Sequence, residues 1–289
     1  MNKAPESYYK SVPHPGRRQA ILLRAVTILA AVITVAVLLF LVVYILIKGI
    51  PHLKPELFEW KYTSDNVSMM PAIINTVLMT LLSLLIAAPL GIFSAIYLVE
   101  YAKRGNKFVA AVRVTTETLA GIPSIVYGLF GMLFFVTRLK WQLSLISGAF
   151  TLAIMILPVI MRTTEEALKA VPDMYREGSF GLGAGRLRTV FSIVLPTAVP
   201  GILAGVILGI GRIVGETAAL IYTAGTVAKV PQSLFSSTRT LSVHMYSLSR
   251  EGLHVDQSYA TAVVLLIVVM GINALSSYVA HRLVKRSGS

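Results

Sequence analysis

The stretch AVTILAAVITVAVLLFLVVYILI, residues 25–47, runs for 23 residues without a charged side chain or a histidine. A helix needs about 20 apolar residues to cross the ~30 Å hydrocarbon layer of a bilayer. Lipid offers backbone groups no partners, so a spanning segment must satisfy its own hydrogen bonds, as a helix does. Further runs follow at residues 66–99, with the helix starting near Pro71, and at 118–137, 141–161, 190–228 and 257–280. The fifth is interrupted only by Arg212 and Glu216. Only Arg138, Leu139 and Lys140 separate the third from the fourth, which predicts a tight hairpin. The pattern predicts an all-α membrane protein with six transmembrane helices. The first run exceeds a typical signal-peptide core and no Ala-x-Ala-like site follows it, so it reads as a retained helix. Residues 1–70 are expected to form a cytoplasmic tail, the first transmembrane helix and an external loop. Residues 71–289 are expected to form a five-helix core with a cytoplasmic loop at 162–197.

Composition agrees. Hydrophobic residues make up 55% and charged residues 13%, about half the usual charged share. That excludes a soluble globular fold and intrinsic disorder. Lys and Arg number 26 against 13 Asp and Glu, a net charge of +13. With the N-terminus inside, 17 of the 26 fall in cytoplasmic segments: Lys3, Lys10, Arg17, Arg18, Arg24, Lys103, Arg104, Lys107, Arg113, Arg162, Lys169, Arg176, Arg186, Arg188, Arg282, Lys285 and Arg286. Only 8 fall outside: Lys48, Lys54, Lys61, Arg138, Lys140, Lys229, Arg239 and Arg250. This is the positive-inside bias. Both termini are therefore expected in the cytoplasm, and the charge needs no nucleic acid to explain it. The external segments are 48–70 and 224–256; the second is serine-rich and should hold short helical or irregular pieces.

Several chemistries are absent from the sequence. There is no cysteine, hence no disulfide and no thiolate. His14, His52, His244, His254 and His281 show no ligand spacing, so no metal is expected, and no catalytic set or cofactor is assigned. No G-x-x-x-x-G-K-[ST] occurs. The Gly-rich run 181–185 lacks the following Lys-Ser/Thr and reads as a turn.

The loop at 162–197 carries the densest pattern. Thr163 and Glu166 make a capping-box spacing. Pro172 suits the first turn of a helix, and Asp173 its positive end. Then come Glu177-Gly178-Ser179, three residues, Gly183, nine residues, Ile193, one residue and Leu195-Pro196. Gly183 can end a helix in the left-handed conformation, and Pro196 can open the next. This predicts a short helix, a sharp turn and a second helix at the membrane surface, with Tyr175 and Phe180 as apolar knobs. The spacing resembles the EAA motif of ABC importer permeases: Glu-Ala-Ala, three residues, Gly, nine residues, Ile-x-Leu-Pro. Gly178 and Ser179 replace the alanines. The resemblance implies a coupling helix docked in a cleft of an ATPase subunit. Glu177 would be its polar anchor, Gly178 and Ser179 would allow close approach, and Gly183 would form the turn. The plain alternative is an amphipathic loop capping two spans.

Arg212 and Glu216 lie four residues apart, which predicts one shared helix face. Counted from Pro196, Arg212 sits ~24 Å along the helix. Charges inside a membrane mark ion pathways by default. Gly201, Gly205 and Gly209 form a small-xxx-small series, expected to line a subunit interface with the charged pair facing a cavity. A guanidinium matches oxyanion oxygens bidentately. Glu216 accepts a hydrogen bond from a P–OH group, which hydrogen phosphate offers at neutral pH and sulfate does not. The structural alternative is an Arg–Glu pair satisfied by itself. Asn75, Thr76 and Thr80 line either the pathway or a helix–helix contact. Gly121, Pro123, Gly128 and Gly131 interrupt the third span, and Glu117 is expected to pair with Arg113.

Residues 209–220, reading GIGRIVGETAAL with Arg212 and Glu216, closely resemble the phosphate-transport permeases of the Pst system. Leu119–Gly128 and Val171–Gly178 are similar to further stretches of that family, and the similarity runs from about residue 71 to the end. The PstA-type subunit is the better match. The resemblance implies a MetI-like type I permease of six helices in the bacterial inner membrane. It implies a PstC-type sister permease, a PstB-type ATPase dimer that hydrolyses the ATP, and an external PstS-type phosphate-binding protein. It also places Arg212 and Glu216 in phosphate movement. A same-fold permease for molybdate, sulfate or phosphonate is the alternative. A carrier acting alone would carry inverted repeats with two broken helices, and the sequence displays none.

Overall fold

The computed structural model describes residues 17–103 and 105–287, and every regular element among them is helical. Lys3, Lys10, His14 and Arg104 lie outside the described residues, as do the side chains of Arg17, Arg18, His281, Lys285 and Arg286. The chain divides into two units, Met1–Ile47 and Lys48–Ser289. The first holds most of helix α1 (Arg17–Gly49), which is apolar around its whole circumference, as a membrane span is.

The second unit contains α2 (Met70–Ile96), α3 (Lys107–Ala120), α4 (Ser124–Gly131, extended by a π-turn to Arg138), α5 (Leu145–Lys169), α6 (Asp173–Gly181) and α7 (Arg186–Thr189). It continues with α8 (Leu195–Val214), α9 (Ala218–Thr223), α10 (Leu241–Glu251) and α11 (Val255–Ser287). α5 is the central helix, packed most extensively on α2 and α8. Met79, Leu152, Met155, Ile156 and Leu220 are sealed at its centre.

Among the described residues five helical segments are long and apolar enough to span a membrane; the α3–α4 pair, bent by 104°, makes a sixth where the pair counts as one span. The third span is thus not one helix over 118–137. Pro123 lacks an N–H and drives Ile122 out of helical geometry. The Tyr127 hydroxyl donates to the Leu119 carbonyl at 2.7 Å, bridging the bend.

Other boundaries move for identifiable reasons. The fourth span begins at Leu145 rather than Trp141, because Ser144 caps it by accepting from Ser147 N–H. Trp141 stacks on Phe135, with ring centroids 5.4 Å apart. The connection after Arg138 turns through Lys140 and Gln142, both at φ 57°. Thr163 and Glu166 start no helix, since α5 runs through them to Lys169; Thr163 Oγ1 donates to Val159 O and Glu166 pairs with Arg162 at 3.0 Å. Pro196 stands in the first turn of α8, as expected, but α8 is continuous with the turns before it. A single rod of 29 residues runs from Arg186 to Val214. A π-turn at Val190–Val194, where Leu195 N–H reaches the Val190 carbonyl, accommodates the proline.

The glycine series on α8 packs within the chain, not at a subunit interface. A Cβ on Gly205 would strike the side chain of Thr163, and one on Gly201 would lie 2.6 Å from Ala167 Cβ, both on α5. Helices in lipid gain nothing from hydrophobic exclusion, so close van der Waals approach carries their adhesion. The spacing foretold close packing but not the partner.

Segment 48–70 joins the second unit. Leu57, Val67 and Met69 pack with Leu241, Leu248 and Ala260, so the two segments expected outside share one end of the bundle. Asn75 Nδ2 donates to the carbonyls of Lys229 and Arg239, and Thr76 Oγ1 accepts from Leu241 N–H. These α2 residues fasten segment 224–256.

Candidate functional site

Helix α8 ends at Val214, two residues before Glu216. Gly215 lacks the side chain that favours helix, and the chain is broken over the three residues 215–217 before α9. Arg212 and Glu216 therefore do not share a helix face. Arg212 stands in the last turn of α8, where the negative end of the helix dipole favours a cation. It lies ~24 Å along α8 from Pro196, as expected, and ~39 Å along the whole rod from Arg186. Glu216 is buried, and its Oε1 accepts from Ala219 N–H at 3.0 Å, capping α9. Its carbonyl accepts from Ser242 Oγ at 2.6 Å.

Among the described residues no ion pair joins Arg212 to Glu216. The half-buried guanidinium lies within electrostatic reach of Tyr127 on α4. The break thus follows a cation that has no carboxylate ion pair among the described residues, and it holds a buried carboxylate with one oxygen committed. A discontinuous helix with charged groups at its ends is how several membrane transporters build ion sites. α4 closes on it: a Cβ on Gly128 would lie 2.8 Å from Ala219 Cα.

At the opposite end of the rod stands α6. Pro172 precedes its first residue, Asp173 lies in its first turn, and Gly183 turns the chain at φ +83°. Glu177, Gly178 and Tyr175 are exposed, and a Cβ on Gly178 would meet nothing within 4 Å. Ser179, expected on the docking face, points inward instead: it is buried, and its hydroxyl lies 2.8 Å from Thr189 Oγ1, joining α6 to α7. The exposed face is completed by Met174 and Leu182, the latter 91% exposed.

Arg176, not singled out from the sequence, ties this surface to the membrane helices. Its Nη2 donates to Glu100 Oε1 at 2.7 Å and to Leu168 O at 2.9 Å, and its Nη1 to Val171 O at 2.8 Å. The pair is largely buried, with side-chain exposures of 14% for Arg176 and 8% for Glu100. Arg113 likewise pairs across helices, with Glu165 at 2.7 Å rather than with Glu117, and Lys169 shares that carboxylate at 2.6 Å. At the other end His244 is fully buried beside Arg239. Burial, reinforced by the Arg239 charge, pushes its pKa down to about 3.

Residues 87–288 match the family described as "Binding-protein-dependent transport system inner membrane component". The chain is 32% identical over 276 residues to the probable ABC transporter permease protein YqgI of Bacillus subtilis, covering 89% of this chain and 94% of that protein. It is 35% identical over 217 residues to the phosphate transport system permease protein PstA 1 of Mycobacterium tuberculosis, covering 73% and 71%. A bacterial alginate ABC transporter solved with an alginate-bound periplasmic protein shares the fold, with a TM-score of 0.63 at 18% identity over 93% of this chain and 99% of that one. The chain belongs to the inner-membrane components of binding-protein-dependent transport systems, the multi-pass permease subunits of ABC importers.

Proposed function

We propose that the chain is the PstA-type permease subunit of an ATP-driven inorganic phosphate importer. A PstC-type sister permease, a PstB-type ATPase dimer and an external PstS-type phosphate-binding protein complete it, and both of its termini face the cytoplasm. The observation that carries the reading is the break after α8, where the Arg212 guanidinium has no carboxylate partner among the described residues and Glu216 keeps one oxygen for a donor. Arg212 grips two phosphate oxygens. Glu216 Oε2 accepts the proton of a hydrogen phosphate, and a fully deprotonated oxyanion leaves that acceptor unsatisfied. Likeness to proteins named as phosphate permeases supports the same substrate.

Coupling follows from the rod. α6 enters the ATPase cleft through Tyr175, Glu177 and Gly178, with Gly183 holding the turn, and Ser179 links α6 to α7. The helix from Arg186 to Val214 then connects that turn directly to Arg212. The test is ATP-dependent uptake of radiolabelled phosphate by the reconstituted complex, with sulfate, molybdate and a phosphonate as competitors. The expected outcome is phosphate import that these anions leave unchanged, abolished by Arg212→Gln in a complex that still assembles. Full uptake by that variant, or preference for a competitor, refutes the reading.

A further inference from the structure

Arg239 carries a buried charge that no carboxylate among the described residues neutralises. The residue is 5% exposed, and its Nε and Nη2 are buried without a hydrogen-bond partner. Its guanidinium carbon lies 4.6 Å from the centroid of the Tyr62 ring, and no carboxylate pairs with it among the described residues. A buried charge without a counter-ion is strongly unfavourable. The segment bearing it is nevertheless held firmly, with Asn75 Nδ2 donating to its carbonyl at 3.1 Å.

Arg239 lines a cavity of about 240 Å³. The polar lining comprises Thr226, Arg239, Tyr246, Ser247, Arg250 and Glu251. Two guanidiniums face one carboxylate, so the cavity carries net positive charge. Three hydroxyls supply neutral donors. Glu251 repeats the chemistry of Glu216, an acceptor beside a guanidinium. The cavity also reaches α9, the helix that Glu216 caps: Ile221 of α9 lines it.

We propose that this cavity is an outer binding site for a protonated tetrahedral oxyanion, distinct from the Arg212–Glu216 break; the proposal rests on the phosphate reading and topology above. Arg239 is its buried cation and Arg250 its exposed rim. Glu251 selects the protonated anion. The site holds the ion on the external side before it passes the break.

The test is equilibrium binding of radiolabelled inorganic phosphate to the full complex in nanodiscs, without the binding protein, beside uptake in proteoliposomes. Arg212→Gln alone should retain phosphate binding. Adding Arg250→Gln should weaken it about tenfold, as expected for one charge-assisted contact to phosphate. Adding Arg239→Gln should weaken it more, and Arg239→Lys should restore part of the loss. Arg250 is on the exposed rim, so its variant tests the site even where Arg239→Gln fails to assemble. Loss of all binding on Arg212→Gln alone overturns the outer site, as does binding indifferent to Arg239 and Arg250. A wild-type complex that neither binds nor imports phosphate overturns the functional reading and the site together. Import and binding that ignore Arg239 and Arg250 overturn the site alone.

Discussion

Replacing Arg176 with glutamine should separate ATP hydrolysis from transport. The guanidinium supplies hydrogen bonds of 2.7 Å to Glu100, 2.8 Å to the Val171 carbonyl and 2.9 Å to the Leu168 carbonyl. Its removal strands the Glu100 carboxylate, 8% exposed, and leaves two carbonyls without this donor. Losing one partner of a buried ion pair costs about 3–5 kcal/mol. Water near the membrane surface reaches part of this site, so we expect the lower end, about 3 kcal/mol. Graded denaturant unfolding of the purified subunit in mixed micelles measures it. A cycle with Glu100→Gln and the double variant isolates the pair; the double variant should recover most of the loss, because no charge is then stranded. In the assembled transporter Arg176 holds α6 against the ends of α2 and α5. The variant should therefore hydrolyse ATP while importing less substrate per ATP. A single-variant loss below about 0.5 kcal/mol, the range of ordinary surface substitutions, with unchanged coupling, refutes the reasoning.

Gly183→Val forces a β-branched residue to φ +83°; it should cost about 1–3 kcal/mol and reduce substrate-stimulated ATPase activity and uptake together. Gly205→Leu drives a side chain into Thr163, so α8 cannot close on α5; overpacking of about 1–3 kcal/mol should appear as a lower midpoint in the same unfolding assay. His244 is held neutral at a pKa of about 3 in the folded chain, against ~6.5 when unfolded. Between these values the unfolded chain binds the extra proton, so stability is complete above pH ~6.5 and falls as the pH drops toward 3. Lowering the pH from 7 to 5 should cost about 2 kcal/mol from this group, and His244→Gln should flatten that part of the wild-type profile.

The spans were legible because bilayer thickness imposes a length that composition must meet, as Ala25–Ile47 and Gln257–Ala280 illustrate. The bend at Gly121–Pro123 was legible as an interruption, but its angle depends on α4 closing on Ala219, a contact between distant residues. At Arg212 and Glu216 the spacing of four argued for one face, while Gly215 between them already pointed to a helix end. The local glycine governed, and each charge went to the helix end that its sign prefers. Arg176 was visible within a recognised stretch, yet its partner Glu100 lies 76 positions away. Arg113 was assigned to the nearby Glu117, but α5 brings Glu165 closer. Buried Arg239 carried no signal, since a lone arginine in a serine-rich loop resembles a solvated one.

While Gly201 and Gly205 are used up in clasping α5, the face of α8 beside them and the turn at its end are left open. Ala204, Leu208 and Gly215 are exposed there, and a Cβ on Gly211 would meet nothing within 4 Å. Clasped and exposed residues thus lie on adjoining faces of one rod. Mutation can remodel the outward flank for a different cargo or neighbour while the inward flank keeps the subunit intact, so lineages can diversify what they carry without relearning how to fold.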